Sequence, residues 1–269
     1  MNLYERDYLK LTDEDMEQWE AVKEKEKFTE YGKKLPFGRR NLFRDLPKAV
    51  RHHKSLFPNN YLDFAELQKE QEMLHRQVDG FEELLSQDST GENQILAYIN
   101  SGNYHIAASI MRLYRFGHHD GFLFKEFPLS VSYRADYLLV GRASGGYQFI
   151  FVEFERNKGN AVVKDGNFGD VVRKGINQID DWKRWVSKNY PSLKEAFDKA
   201  RNKEHALPDE FYELDTTRIH YVVVAGRRDD FNDKANYERR RTEQENGIKI
   251  LHYDNLIDTA RNAIGENTY

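Results

Sequence analysis

The 269 residues contain no cysteine, which excludes disulfides, thiolate metal sites and a cysteine nucleophile. Any metal must therefore rest on carboxylates, histidines or carbonyls. No apolar run approaches the ~20 residues that cross a bilayer, and the opening MNLYERDYLKLTDEDMEQWE lacks the apolar stretch of a signal peptide. No membrane partner is expected, and the cytoplasm is the expected compartment. Proline is scarce, and Pro36, Pro47 and Pro58 fall in a charged N-terminal stretch poor in β-formers. Charge of one sign is also lacking. A net charge of −4 leaves nucleic acid open, because a binder can be acidic overall and basic on one face. The basic runs are local: KKLPFGRR (33–40), RHHK (51–54) and ERRR (238–241). Runs of this kind are usually solvated surface, as are the adjacent pairs His52-His53 and His118-His119 when they lie on loops.

What is present divides in two. Residues 1–85 read as an accessory helical region. TDEDMEQWEAVKEKEKF is a helix with Thr12 as its N-cap, and residues 61–85 carry apolar residues at helical spacing with a break expected near Gly80. From residue 86 to 269 the texture changes. GENQILAYINSG and HIAASIMRLYRF read as helices, followed by the β-type runs FLFKEFPLS, ADYLLVG and QFIFVEFE. A long amphipathic helix then places Val172, Ile176, Ile179, Trp182 and Val186 near one face. RIHYVVVAGRR, apolar almost throughout, reads as a strand buried on both faces; IKILHYD is another strand, and NLIDTARNAIG a closing helix. The pattern predicts an α/β (α+β) fold, a mixed central sheet flanked by helices.

Three acids stand inside these apolar strands. Residues two apart on a strand share a face, so Glu153 and Glu155 are neighbours about 7 Å apart. Ala143-Ser144-Gly145-Gly146 is a turn signal, and a hairpin with a two- or four-residue loop sets Asp136 across from Glu153 or Glu155. Carboxylates that close would force a proton onto one of them unless a divalent cation sits between. Oxygen ligands with room for water suit magnesium or manganese. The alternative is plainer: strand-end acids that simply pair with Arg134, Arg142 or Arg156.

An acid opening a hairpin, two acids at i and i+2 on the next strand and a helix after it resemble the core of the PD-(D/E)XK nucleases. Gln178 and Trp182 in GINQIDDWKRW look like the QxxxY/W element that some branches carry on that helix. The longer set RADYLLVG, FVEFERN, QIDDWKRW, VVVAGRR and ILHYDNLID, within residues 86–269, is similar to the Shedu anti-phage immune nucleases. The resemblance implies a restriction-endonuclease-like core and a Mg2+-dependent (or Mn2+-dependent) deoxyribonuclease acting on phage or plasmid DNA. It also implies a homo-oligomer, with a tetramer as the candidate state. Asp136 matches the motif aspartate, Glu153 its D/E, Gln178 the helix glutamine, and Glu92 an acid on the first core helix. These acids, with Glu155, are the expected metal ligands. Glu155 stands where the family's lysine is expected, so the cation must come from elsewhere. Lys174, one turn before Gln178 on the same helix face, is one source, and Lys158 another.

Overall fold

The computed structural model describes residues 3–35, 42 and 46–269. Pro36 and residues 36–40 of the first basic run lie outside the described residues. Among the described residues no helix is long and apolar enough to cross a membrane.

Five strands form one sheet in sequence order: β1 (Asp120–Pro128), β2 (Arg134–Ala143), β3 (Gly146–Phe154), β4 (Ile219–Val224) and β5 (Ile248–Leu251). The first three are an antiparallel meander, and β4 and β5 join in parallel with β3. A parallel neighbour needs a crossover. The β3 to β4 crossover carries α7 (Asp170–Asn189) and α8 (Leu193–Ala200), and the β4 to β5 crossover carries α9 (Asp233–Asn246). Helices cover both faces of this mixed sheet, as the pattern predicts.

Alternation along the strands assigns the two faces. Tyr137, Leu139, Ile150, Val152, Phe154, Val222 and Val224 pack under α4 (Gln71–Ser86), α5 (Glu92–Asn100), α6 (His105–Ala108) and α10 (Tyr253–Ala263). Leu138, Val140, Phe149, Phe151, Tyr221 and Val223 face α7 through Val172, Ile179, Trp182 and Val186. Residues before 86 enter both layers. Leu74, Val78, Phe81 and Leu85 belong to the first core, and Phe57 sits within 5.8 Å, centroid to centroid, of Phe122, Phe124, Phe197 and Phe211 in the second.

The helix ends follow local chemistry, with two departures. Thr12 caps α1 (Asp13–Lys25) in a reciprocal pair with Asp15, and α5 starts after Gly91. The expected break at Gly80 is absent. The interruption falls at Glu70, between α3 (Ala65–Lys69) and α4, while Gly80 stays helical. Its glycine serves packing instead: a Cβ there would fall 2.5 Å from Tyr98 Oη, which donates to Gln77 O across α4. The second departure is at 105–116, where one turn of α-helix tightens into a 3-10 segment over Ser109–Leu113.

Candidate active site

The site forms where β2 begins and the parallel strands end. Ala143 pairs with Gly146 across a two-residue turn, and Gly146, at φ 101°, takes a backbone conformation that glycine adopts without strain. The pairing runs to Tyr137 and Val152. One step further along that register, Asp136 stands opposite Glu153. There Asp136 Oδ2 accepts the Phe154 N–H at 2.7 Å, so the carboxylate stands in for a ladder carbonyl at the strand end. Glu155 extends the parallel ladder past β3, donating its N–H to Val224 O at 2.8 Å. Tyr253, fully buried at the start of α10, donates its hydroxyl to the Glu155 carbonyl at 2.5 Å. On the other side of Asp136, the β1–β2 register sets Glu126 opposite it, and Glu126 holds a left-handed backbone (φ 48°) that costs about 1–3 kcal/mol.

Both glutamates are buried, at 3% exposure for Glu153 and 1% for Glu155. Glu153 Oε2 and Glu155 Oε1 have no hydrogen-bond donor. The other Glu155 oxygen, Oε2, meets Lys174 Nζ at 2.8 Å, and the same ammonium lies 3.3 Å from Glu92 Oε2 at the first turn of α5. Lys174 reaches in because the next residue is Gly175. A Cβ at that position would fall 2.6 Å from Val223 Cγ1 and 3.2 Å from Glu155 Cγ, so α7 lies directly on the strand ends.

The electrostatics follow from burial. Glu153 is pushed up to about 10, first by desolvation and then by the charges of Asp136, Glu155 and Glu92. Asp136 is raised to about 7, again mainly by burial, with the Phe154 N–H offsetting part of it. The pair therefore holds a proton at neutral pH. Glu155 is also raised by burial, although Lys174 opposes the shift. For Lys174, burial favours the neutral amine, but its bonds to Glu155 and Glu92 win and raise it.

Arg134 and Arg142 do not neutralise these acids. Arg134 lies 3.4 Å from Glu126 and Arg142 3.5 Å from Asp120. Arg156 is exposed and makes no ion pair among the described residues; it lines an open cleft of about 710 Å3 together with Thr90, Gly91, Glu92 and Lys158. Lys158 is engaged by Asp88 at 2.7 Å and Ser86 O at 3.0 Å. Gln178 is half-buried and its amide makes no hydrogen bond among the described residues, while Trp182 is core.

A divalent cation fits this donor set on one observation: Glu153 Oε2 and Glu155 Oε1 are buried carboxylate oxygens with no donor of their own. With Lys174 in place, however, the acids do not bring three oxygens within 4.8 Å of one another. Glu92 is brought in through Lys174. Tyr253 and Gly175 are contributors that sequence reading did not single out. A glycine inside a strongly amphipathic helix was the available signal for Gly175; Tyr253 had none.

Comparison with known proteins now bears on this arrangement. No curated protein matches the chain. The family described as Shedu protein SduA, C-terminal, matches residues 92–257. The match opens on Glu92, includes Asp136, Glu153, Glu155, Lys174 and Gln178, and closes within α10. With more than half of its length and every acid of the cluster inside that match, the chain belongs to the Shedu family of anti-phage defence proteins.

Proposed function

We propose that this chain is a metal-dependent deoxyribonuclease whose cleavage of phage or plasmid DNA is its contribution to defence. The observation that carries the reading is the pair of buried, donor-free oxygens on Glu153 and Glu155 beside Asp136. Asp136, Glu153 and Glu155 are the residues that would hold Mg2+ or Mn2+. When bound, the ion lowers the pKa of a coordinated water and draws negative charge from the scissile phosphate. Glu155 Oε1 is the base available to receive a proton from the attacking water. Lys174, fixed against Glu155 Oε2, supplies the fixed positive charge that the displaced motif lysine would have given to the developing phosphorane. Arg156, unpaired on the cleft wall, is placed to hold an adjoining phosphate of the DNA.

A second reading is a nuclease-like domain that binds DNA ends without cutting. It is favoured by the acids' failure to gather three oxygens within 4.8 Å. Plasmid cleavage assays with Mg2+ and with EDTA separate the two. Cleavage that needs Mg2+ and is lost in Glu153→Ala supports the nuclease; DNA binding without cleavage at any Mg2+ concentration overturns it.

A further inference from the structure

One other group of ligand-type atoms stands out. Among the described residues, His52, His53 and Glu204 are the set whose donor atoms all lie within 4.8 Å of one another. The reading of His52-His53 as loop surface is corrected here, since both lie on α2 (Pro47–Lys54), are half-buried and turn toward the segment after α8. The pair His118-His119 does remain exposed.

The geometry is that of an unfilled bond set. His52 Nε2 stands 3.8 Å from Glu204 Oε1, and His53 Nδ1 3.6 Å from Glu204 Oε2. Both separations are too long for hydrogen bonds. In a tetrahedral zinc site with bonds of about 2.0–2.1 Å, donors stand about 3.3 Å apart, so the three donors, all within 4.8 Å of one another, would have to draw together around the ion.

The supporting contacts also suit ligation. His52 Nδ1 lies 2.8 Å from Tyr8 O. A carbonyl only accepts, so Nδ1 carries a hydrogen and Nε2 is the ring nitrogen that faces Glu204, the outer-partner arrangement usual for a metal-ligating histidine. His53 is stacked on Trp19 at 4.7 Å and stands edge-on to His52. Burial, with His52 beside it, lowers the His53 pKa against the opposing pull of Glu204. Glu204 is held near by Asn202, whose N–H donates to Leu56 O at 2.9 Å and whose side-chain amide donates to His52 O.

We propose that His52, His53 and Glu204 bind a divalent transition-metal ion, Zn2+ by preference, with water completing its coordination. The ion fastens α2 to the 201–205 segment and so ties the N-terminal region to the crossover behind the sheet. Lys23 acts on His53 and Lys54 lies over the Trp19 ring, and both repel a cation. A hard, strongly hydrated ion such as Mg2+ is disfavoured there, whereas imidazole nitrogens retain Zn2+.

The test is titration of the EDTA-stripped full chain with Zn2+ by calorimetry, with Co2+ as a spectroscopic probe. The proposal expects one equivalent assigned to this site, measured in the Asp136→Asn/Glu153→Gln background where the carboxylate site cannot compete for Zn2+, an intense visible Co2+ spectrum, and slowed amide exchange at 47–57 and 201–205 on adding Zn2+. Adding His118→Ala to that background should keep the equivalent. Glu204→Gln and His53→Ala should weaken it by at least the ~10–100-fold that loss of an outer partner alone causes. Glu204 is 58% exposed, so its variant tests the site without disturbing the core. The proposal is overturned if Glu204→Gln binds as tightly as wild type, if the carboxylate double variant loses the equivalent, or if the wild type binds no Zn2+ at about 100 µM.

Discussion

Replacing Glu153 by glutamine should make the metal-free protein more stable. Glu153 keeps its proton in the folded state up to about 10 and loses it near 4.5 when unfolded. The folded state thus binds more protons between those values, so stability is full below pH 4.5 and declines as pH rises toward 10. At pH 7 the decline is set by the distance from 4.5 alone, about 2.5 pH units at 1.36 kcal/mol each, or about 3 kcal/mol. Glutamine fills the same space with no proton to lose. Glu153→Gln should therefore exceed wild type by about 3 kcal/mol at pH 7, or about 6–12 °C in Tm. The gap should close by pH 4.5. The assay is thermal or urea unfolding of both proteins in EDTA from pH 4.5 to 8.5, with plasmid cleavage measured in parallel. Saturating Mg2+ should raise wild-type stability and leave the variant unchanged, while the variant loses cleavage. A variant no more stable than wild type at pH 7 to 8, or a gap that does not widen with pH, refutes the protonated Glu153.

Lys174→Ala should reduce Mg2+-dependent cleavage by about ten- to a thousand-fold. Although the lysine side chain is 57% exposed, its partner Glu155 is buried, so stranding that carboxylate should also cost about 1–3 kcal/mol, read by urea unfolding. Gly175→Ala should destabilise by about 1–3 kcal/mol through the 2.6 Å approach to Val223 and lower cleavage by lifting α7 from Glu155. Wild-type stability and cleavage in this variant would rule out the close seating of the helix. Phe57→Ala, at the centre of four aromatic rings, should cost about 3–5 kcal/mol in the same unfolding assay.

The parts of the fold that the sequence made legible are those governed by local periodicity. The α7 stripe from Val172 to Val186, the two-residue turn at Ser144-Gly145 and the doubly buried run of β4 each carry their own signal. The face of Asp136 was legible only on condition of an even loop, because strand parity follows from loop length, and the two-residue turn meets that condition. Lys174 was reachable once the resemblance had marked Gln178, one turn further along the helix, but its partner Glu155 lies 19 residues away on another element and carries no local sign of the pairing. What failed was set by distant contacts. Gly80 reads as a break until Tyr98 is seen lying across it. Glu204 has no local mark that could join it to His52 and His53, about 150 residues earlier, and the same holds for Tyr253 and the Glu155 carbonyl.

The packing of α4 under α10 has a kinetic meaning. Arg261 on α10 binds Asp79 and Glu82 on α4, partners 182 and 179 residues apart in sequence. During synthesis at about 5–20 residues per second, Leu74, Val78 and Phe81 must wait on the order of 10–40 s for their cover. Contacts of this span slow folding, because a long loop has to close before they form. Tyr253 arrives with the same helix and secures the end of β3 beneath Glu155. The nascent chain can therefore hold all of its acids and Lys174 outside the ribosome without a finished site. The acid cluster and its lysine reach their final arrangement only once α10 has docked on α4 and the end of β3.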